Sequence, residues 1–517
     1  MSSTLNQPKG GSGGVTRRDF LQRFGMVGGS ALVMSAMSSM ELLGAAPAGA
    51  KPRWSGRANA RVIVLGAGVS GLTAAYELGK LGYDVQVLEA RDRVGGVNHS
   101  VRGGTEETDL NGVQQRCDFE PGLYLNAGPW RIPHTHQAVI DYCRELGVPL
   151  EVFVNENDAS YLYYEGESFG AFSGKPVRLR EIKADMRGFT SEVLAKALNQ
   201  GALDLPMTGE DLERFVNYLV NEGYLDSADR VYRGGNARGG GDTYDPVELL
   251  RSGFASRVRS VDASQTRPPV FQPIGGMDQF PVGFARALPG QITFRAEVQQ
   301  IRQTEDGVRV VYENLATGFK RELQADYVIS CLPLTILGEL DVNLSSEMMQ
   351  TVRGTTYSNA SKIGLQMRRR FWEQDEGIYG GMTYTNLPLG QFAFPSNDYL
   401  TPKGIVLGYY GGSTVGQLGS KSNAERIEHV LSHASKVHPQ LRDEFENGYS
   451  VLWENIRYSK GAYAGGGGGA RLEQLSRPDG RIFIGCAAAS TSPAWMEGAV
   501  ASGWQAVESL HQRAMRG

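Results

Sequence analysis

Arg61-Val62-Ile63-Val64-Leu65 is a short β-branched run of the kind that forms a buried parallel strand. Gly66-Ala67-Gly68-Val69-Ser70-Gly71 follows without a gap, and Leu72 to Leu81 has the spacing of an amphipathic helix. Gly82-Tyr83-Asp84 turns the chain into a second strand, Val85 to Leu88, which ends in Glu89. Each part has a physical task in a nucleotide-binding βαβ unit. Gly66 makes the tight turn, Gly68 lets the backbone approach a pyrophosphate, and Gly71 lets helix and strand pack closely. The pyrophosphate lies at the helix N-terminus, where free N–H groups favour negative charge. Glu89 is placed to accept hydrogen bonds from ribose hydroxyls. A lone G-x-G-x-x-G carries little weight in a chain with 67 glycines. Here strand, glycines, helix, strand and acid occur in order within about 30 residues, the span of one such unit.

The remaining composition narrows the setting. A chain of 517 residues suggests two or three domains, and 41% hydrophobic with 21% charged residues fits a soluble globular protein. A formal charge of −4 gives no reason to expect nucleic acid or an anionic membrane as partner. Cys117, Cys143, Cys331 and Cys486 form no C-x-x-C pair, which excludes a disulfide scaffold and offers no metal-ligand spacing. One disulfide stays open, and so does a homodimer. Near the start, Thr16-Arg17-Arg18-Asp19-Phe20-Leu21 precedes a mildly apolar run from Phe24 to Leu43 and then Ala48-Gly49-Ala50. Paired arginines, a weak apolar region and an A-x-A site resemble a twin-arginine export signal. The run is broken by Gly28, Gly29 and several serines, so a stable membrane span is not expected. Residues 1–50 therefore read as a signal peptide, with the mature chain starting near Lys51 in the periplasm or outside the cell.

Farther along, His134 to Leu146 has helical spacing, and Val177 to Leu225 reads as a helical insertion with a turn and helix start at Pro206, Gly209 and Glu210-Asp211. Arg233 to Gly241 is a Gly-rich loop. Strands are expected at Ile292 to Ile301, Val308 to Tyr312 and Ala325 to Leu332, returning to the nucleotide unit. Thr355 to Phe371 and Ile405 to Gly412 read as further strands, Ile482 to Gly485 as a last buried strand, and Trp495 to Leu510 as a closing helix. Gly465 to Gly469 reads as a short loop. Nucleotide-binding pieces thus lie at both ends with other material between. The expected division is 51–130, 271–340 and 451–517 for the nucleotide domain, and 131–270 and 341–450 for a substrate-binding region.

Glu89-Ala90-Arg91-Asp92-Arg93-Val94-Gly95-Gly96 resembles the extension found in flavoproteins of the amine-oxidase and glutathione-reductase-like superfamily. The resemblance implies FAD, with Arg91 at the adenosine end and Gly95 and Gly96 beside the pyrophosphate. Val97 departs from the pattern, where a further arginine is usual. Three more stretches resemble the flavin amine oxidases, and within them the L-amino-acid oxidases. In Asn126-Ala127-Gly128-Pro129-Trp130-Arg131-Ile132-Pro133 the resemblance places Gly128, Pro129 and Trp130 beside the flavin and gives Arg131 the substrate carboxylate. A planar guanidinium can grip a carboxylate with two parallel hydrogen bonds. Ser361-Lys362-Ile363-Gly364-Leu365 looks like the strand whose lysine, here Lys362, holds a water near flavin N5. From Gly480 to Gly503 the chain resembles the segment that closes over the flavin, implying roles for Gly485, Gly498 and Ala499 and an aromatic substrate wall at Trp495. Cys486-Ala487-Ala488-Ala489 departs where an acid is usual. Val298 would lie near the adenine, and Tyr409, with Tyr410 as the alternative, would be a second carboxylate contact.

The implied fold is α/β: a Rossmann-like FAD-binding domain interleaved with a mixed-sheet substrate domain and a helical insertion. The implied reaction is oxidation of an L-amino acid to an imino acid, hydrolysed to 2-oxo acid and ammonia, with molecular oxygen giving hydrogen peroxide. Tyr463 to Ala470 contains no cysteine, so noncovalent FAD is expected. Oxidation of an amine lacking a carboxylate, flavin monooxygenation and an exported flavin-binding protein without catalysis are the competing readings.

Overall fold

The computed structural model describes residues 51–199, 208–258, 269–411, 415–465 and 469–516. The proposed signal peptide, Pro206, Gly412 and the centre of the Gly465–Gly469 loop lie outside these residues. Two sheets organise the rest. The first has five parallel strands in the order Ile292–Thr293, Asp84–Leu88, Arg61–Leu65, Tyr327–Ser330, Ile482–Ile484. Its central strand is buried at four of five positions, as its β-branched run requires when helices cover one face and a second layer the other. Helix Val69–Lys80 and the C-terminal helix Met496–Arg516 pack together on that sheet. Close contact between them is possible because Gly503 meets Ser70 and Thr73: a Cβ there would stand 2.7 Å from the Ser70 carbonyl oxygen.

The second sheet has seven strands, and Ser361–Met367 runs between Gly404–Gly411 and Phe445–Leu452. All seven of its residues are buried, Lys362 included. A four-stranded sheet contains Ala296–Gln303, Val308–Asn314 and Phe319–Ala325. The insertion is the helix pair Leu179–Asn199 and Gly209–Gly223. Thr208 starts the second helix with a capping box to Asp211, the turn-and-start expected from the sequence.

The run from Thr355 to Phe371 is not one strand. Helix Ser346–Gly354 ends at Thr355, Tyr357–Ser358 pairs briefly with Tyr463–Ala464, and only Ser361–Met367 joins the large sheet. Phe371 then opens a short helix, Phe371–Gln374, tied by the buried Arg370–Glu373 ion pair. The β-favouring residues at Thr355–Tyr357 are sound locally, but the chain offers them a partner of only two residues. No helix among the described residues is long and apolar enough to cross a membrane. All four cysteines are free and buried.

Gly71 tests the βαβ packing: a Cβ there would lie 2.0 Å from the Gly66 carbonyl oxygen. Gly71→Ala must displace the helix from the strand, and thermal unfolding should show a loss of about 3 kcal/mol, the upper range for overpacking.

Candidate active site

One elongated cavity of about 890 Å³ runs from the glycines of the βαβ unit to the face of the large sheet. That is near the top of the range of roughly 300–1,000 Å³ for ligand pockets. At its nucleotide end, Gly66 takes φ +92° to turn out of the first strand. Gly68 faces open space, with nothing within 4 Å of where a Cβ would be, so a ligand can touch its backbone. Glu89 is buried, and its carboxylate does two local jobs. Oε2 accepts from Ala67 N–H at 2.8 Å and Oε1 from Arg91 N–H at 2.9 Å, which fixes the turn on either side of the ribose position. Gly95 and Gly96 both have positive φ, and Gly95 N–H donates to Ala67 O at 2.8 Å, so the two glycine turns lie against each other.

Arg91 lines the cavity, and burial holds its pKa below the usual arginine value against the pull of Glu89. Arg93, to which the sequence assigned no role, sits beneath the same turn. It donates to Gly96 O at 2.9 Å and Val94 O at 3.3 Å, and burial, with Arg91 beside it, brings its pKa down to about 10. Arg91 thus stands on the cavity wall where an anionic ligand would offset its charge, with Arg93 behind it. This supplies positive charge that Val97, itself on the cavity wall, lacks. The signal was present in the sequence as the second arginine of Ala90-Arg91-Asp92-Arg93. Val298 lines the same end, and Ala296 N–H donates to Glu89 O at 2.8 Å. Cys486, Ala487 and Ala488 also line the cavity, so uncharged groups occupy the place of the missing acid.

At the far end, Gly128 is required by close packing: a Cβ would lie 1.7 Å from Val97 O. Lys362 Nζ donates to Gly128 O at 2.6 Å and Asn126 O at 2.9 Å. It lies 4.7 Å from the Tyr410 ring centroid and 5.6 Å from that of Trp130. Burial first, and the Arg131 charge second, push its pKa well below the usual lysine value. The strand is buried on both faces, and Lys362 is on the cavity wall.

Tyr409 is not the cavity tyrosine. Strand pairing sets Lys362 opposite Tyr410 and Ile363 opposite Tyr409, so alternation sends Tyr410 to the cavity and Tyr409 into the core with Ile363 and Val406. Arg131 is not among the residues of the cavity wall; it stands behind this end, close enough for its charge to act on Lys362 and Tyr410. Its Nε and Nη1 are buried without a hydrogen-bond partner, and burial lowers its pKa. Trp495 and Ala499 line the cavity, and Trp495 meets His136 edge-on at 4.8 Å. Trp130 supports the wall from behind, with its ring 5.0 Å from Phe153 and 5.9 Å from Tyr410. Gly485 and Gly498 act through packing: Cβ atoms there would press on Ile329 and Cys331, and on Ser492 O at 2.0 Å. Trp453 and Tyr463 line the cavity and carried no mark in the sequence; Trp453 Nε1 donates to Ala127 O at 2.8 Å. Among the described residues, no group of three or more His, Cys, Asp or Glu side chains could hold a metal ion.

The site fits FAD on its own features: an open Gly68 turn, the buried Arg91 on the cavity wall and one cavity that joins them to Lys362. Residues 69–511 match the flavin containing amine oxidoreductase family. The chain belongs to that family; it is an FAD-dependent oxidoreductase acting on CH–NH2. It is 27% identical to an L-amino-acid oxidase of Echis ocellatus, over 87% of this chain and 89% of that one. It is also 27% identical to a putative L-amino-acid oxidase of Bacillus subtilis (strain 168), over 86% and 92%. A flavin-dependent L-tryptophan oxidase of Lentzea aerocolonigenes is 27% identical over 88% and 98%. The fold is that of putrescine oxidase bound to putrescine, with a TM-score of 0.58 at 19% identity, covering 87% of this chain and 99% of that one.

Lys362 gives a pH prediction. Its folded pKa is depressed, so the native state binds fewer protons than the unfolded chain between the two values, and the burial cost is largest below the folded pKa and fades as pH rises toward the unfolded one. Relative to wild type, Lys362→Met should therefore gain stability as pH falls from about 10 toward 6. Denaturant unfolding across that range reads the slope; a flat difference would contradict a neutralised lysine.

Proposed function

We propose that this protein oxidises an L-amino acid to the 2-oxo acid, ammonia and hydrogen peroxide, with molecular oxygen as electron acceptor and FAD held noncovalently. Arg131 carries the reading. A buried guanidinium with Nε and Nη1 unpartnered is costly unless an anion meets it, and a substrate carboxylate supplies two acceptors in matching geometry. The names of the amino-acid oxidases it resembles agree with this.

FAD, when bound, supplies the acceptor for the hydride leaving the carbon that bears the amine. Gly66, Gly68, Glu89, Arg91, Gly95, Gly96 and Val298 would hold its nucleotide half, and Gly128, Pro129 and Ala499 line the rest of its path. Arg131 orients the substrate by its carboxylate, and Trp495 and Tyr410 close an apolar wall that limits water. The carbonyls of Asn126 and Gly128 take two of the Lys362 N–H bonds, which aims the remaining position of Nζ. Cys331 and Cys486, the cysteines on the cavity wall, stand by the nucleotide strands rather than by Lys362, which supports a noncovalent flavin.

Arg131→Ala should lower kcat/KM for the preferred amino acid by at least about thirty-fold, as for loss of one member of a buried charged pair. The same variant should leave oxidation of the decarboxylated amine nearly unchanged. Anaerobic bleaching of the flavin by L-amino acids, their D-isomers and simple amines identifies the substrate; equal loss with acid and amine, or bleaching by amines alone, would reject the carboxylate role.

The proposed location is outside the cytoplasm after twin-arginine export, a route that carries folded proteins. Lys51 is anchored in the folded domain: its Nζ meets Glu77 at 2.6 Å and Glu145 at 3.1 Å. Replacing Arg17 and Arg18 by lysine should retain the protein in the cytoplasm, and intact mass should place the exported N-terminus near Lys51. Export of the double variant at the wild-type level would exclude this route.

A further inference from the structure

The nucleotide end of the cavity is walled by Arg457-Tyr458-Ser459-Lys460, a segment that no cofactor motif marks. It lies between the turn Trp453–Asn455 and the two-residue strand Tyr463–Ala464, outside the five-stranded sheet. None of its four residues belongs to a hydrophobic core cluster among the described residues. Polar ties hold it instead, and each runs to an element of the nucleotide end. Arg457 Nη2 pairs with Glu297 Oε1 at 2.9 Å, next to Val298. Lys460 Nζ pairs with Glu339, beyond the short helix Leu334–Leu337. Arg91 Nη2 donates to Ser459 Oγ at 3.0 Å, and Thr335 Oγ1 to Ser459 O at 2.8 Å. The ion pairs face water on one side: the Arg457 side chain is 59% exposed and that of Glu339 is 61% exposed.

We infer that Arg457–Lys460 is a latch over the adenosine half of FAD, and that its two ion pairs set how fast the cofactor leaves. Opening the latch breaks Arg457–Glu297 and Lys460–Glu339 together with the two Ser459 hydrogen bonds, and frees the wall beside Glu89 and Arg91. Because the pairs are partly exposed, dissolved salt weakens them. The inference rests on FAD binding alone and is independent of which amine is oxidised.

The test follows free-flavin fluorescence after dilution of the holoenzyme. Between about 0.05 M and 1 M sodium chloride, release should accelerate by about five-fold, the size expected of two screened surface pairs acting together. Lys460→Glu should release FAD faster at low salt and lose most of the salt dependence. Adding Glu339→Lys should restore slow release by re-forming the pair in reverse. Release rates unmoved by salt and by Lys460→Glu would overturn the latch, as would failure of the reversed pair to rescue. Thermal unfolding of the apoprotein is the control: an equal loss of apoprotein stability in Lys460→Glu would assign the effect to the fold and overturn the latch as well.

Discussion

The hydrogen bonds from Lys362 Nζ to the carbonyls of Asn126 and Gly128 join the seven-stranded sheet to the Asn126–Gly128 segment on the wall of the cavity. The lysine comes from the strand next to one edge of the seven-stranded sheet, and the carbonyls come from the segment that follows the short strand Tyr124–Asn126. A buried amine is tolerated only where acceptors replace water, so this contact fixes the distance between sheet and loop. It also sets the position of Arg131, three residues beyond Gly128, and of Tyr410, the cross-strand neighbour of Lys362. Movement of the sheet away from the loop would leave two carbonyls and an amine unsatisfied together.

Glu89 plays the corresponding part at the other end. Each oxygen of its carboxylate accepts from one backbone N–H before any ligand arrives, which shapes the first glycine turn and the start of the Arg91–Gly96 segment as one unit. Arg93 then holds that segment from beneath. The nucleotide site is thus built from charges pointing at backbone as much as from charges pointing at a ligand.

What the sequence revealed follows from the range of the interactions concerned. The βαβ unit was legible from Arg61 to Glu89 because period, glycine spacing and the terminal acid are all local properties. The helix start at Gly209 and Glu210-Asp211 was legible for the same reason. The choice between Tyr409 and Tyr410 depended on strand register, which is set by a partner about fifty residues away, and one step of register exchanges core for cavity. The strand proposed from Thr355 to Phe371 failed at its ends because local β-preference does not report how long a partner strand is. Trp453 and the Arg457–Lys460 segment escaped notice because their role comes from where the chain passes, over the cavity, and no spacing within the segment encodes that.

The order of strands in the five-stranded sheet has a consequence for how the protein is made. Ile482–Ile484 supplies the edge beside Tyr327–Ser330, and Met496–Arg516 supplies the helix that packs on Val69–Lys80. A chain growing on the ribosome therefore presents its first glycine turn long before the last wall of the cofactor cavity exists. Only when almost all of the polypeptide has been translated can the cavity enclose anything. Holding the flavin firmly is thereby a property of the finished chain, and a prematurely terminated one lacks the means to do so.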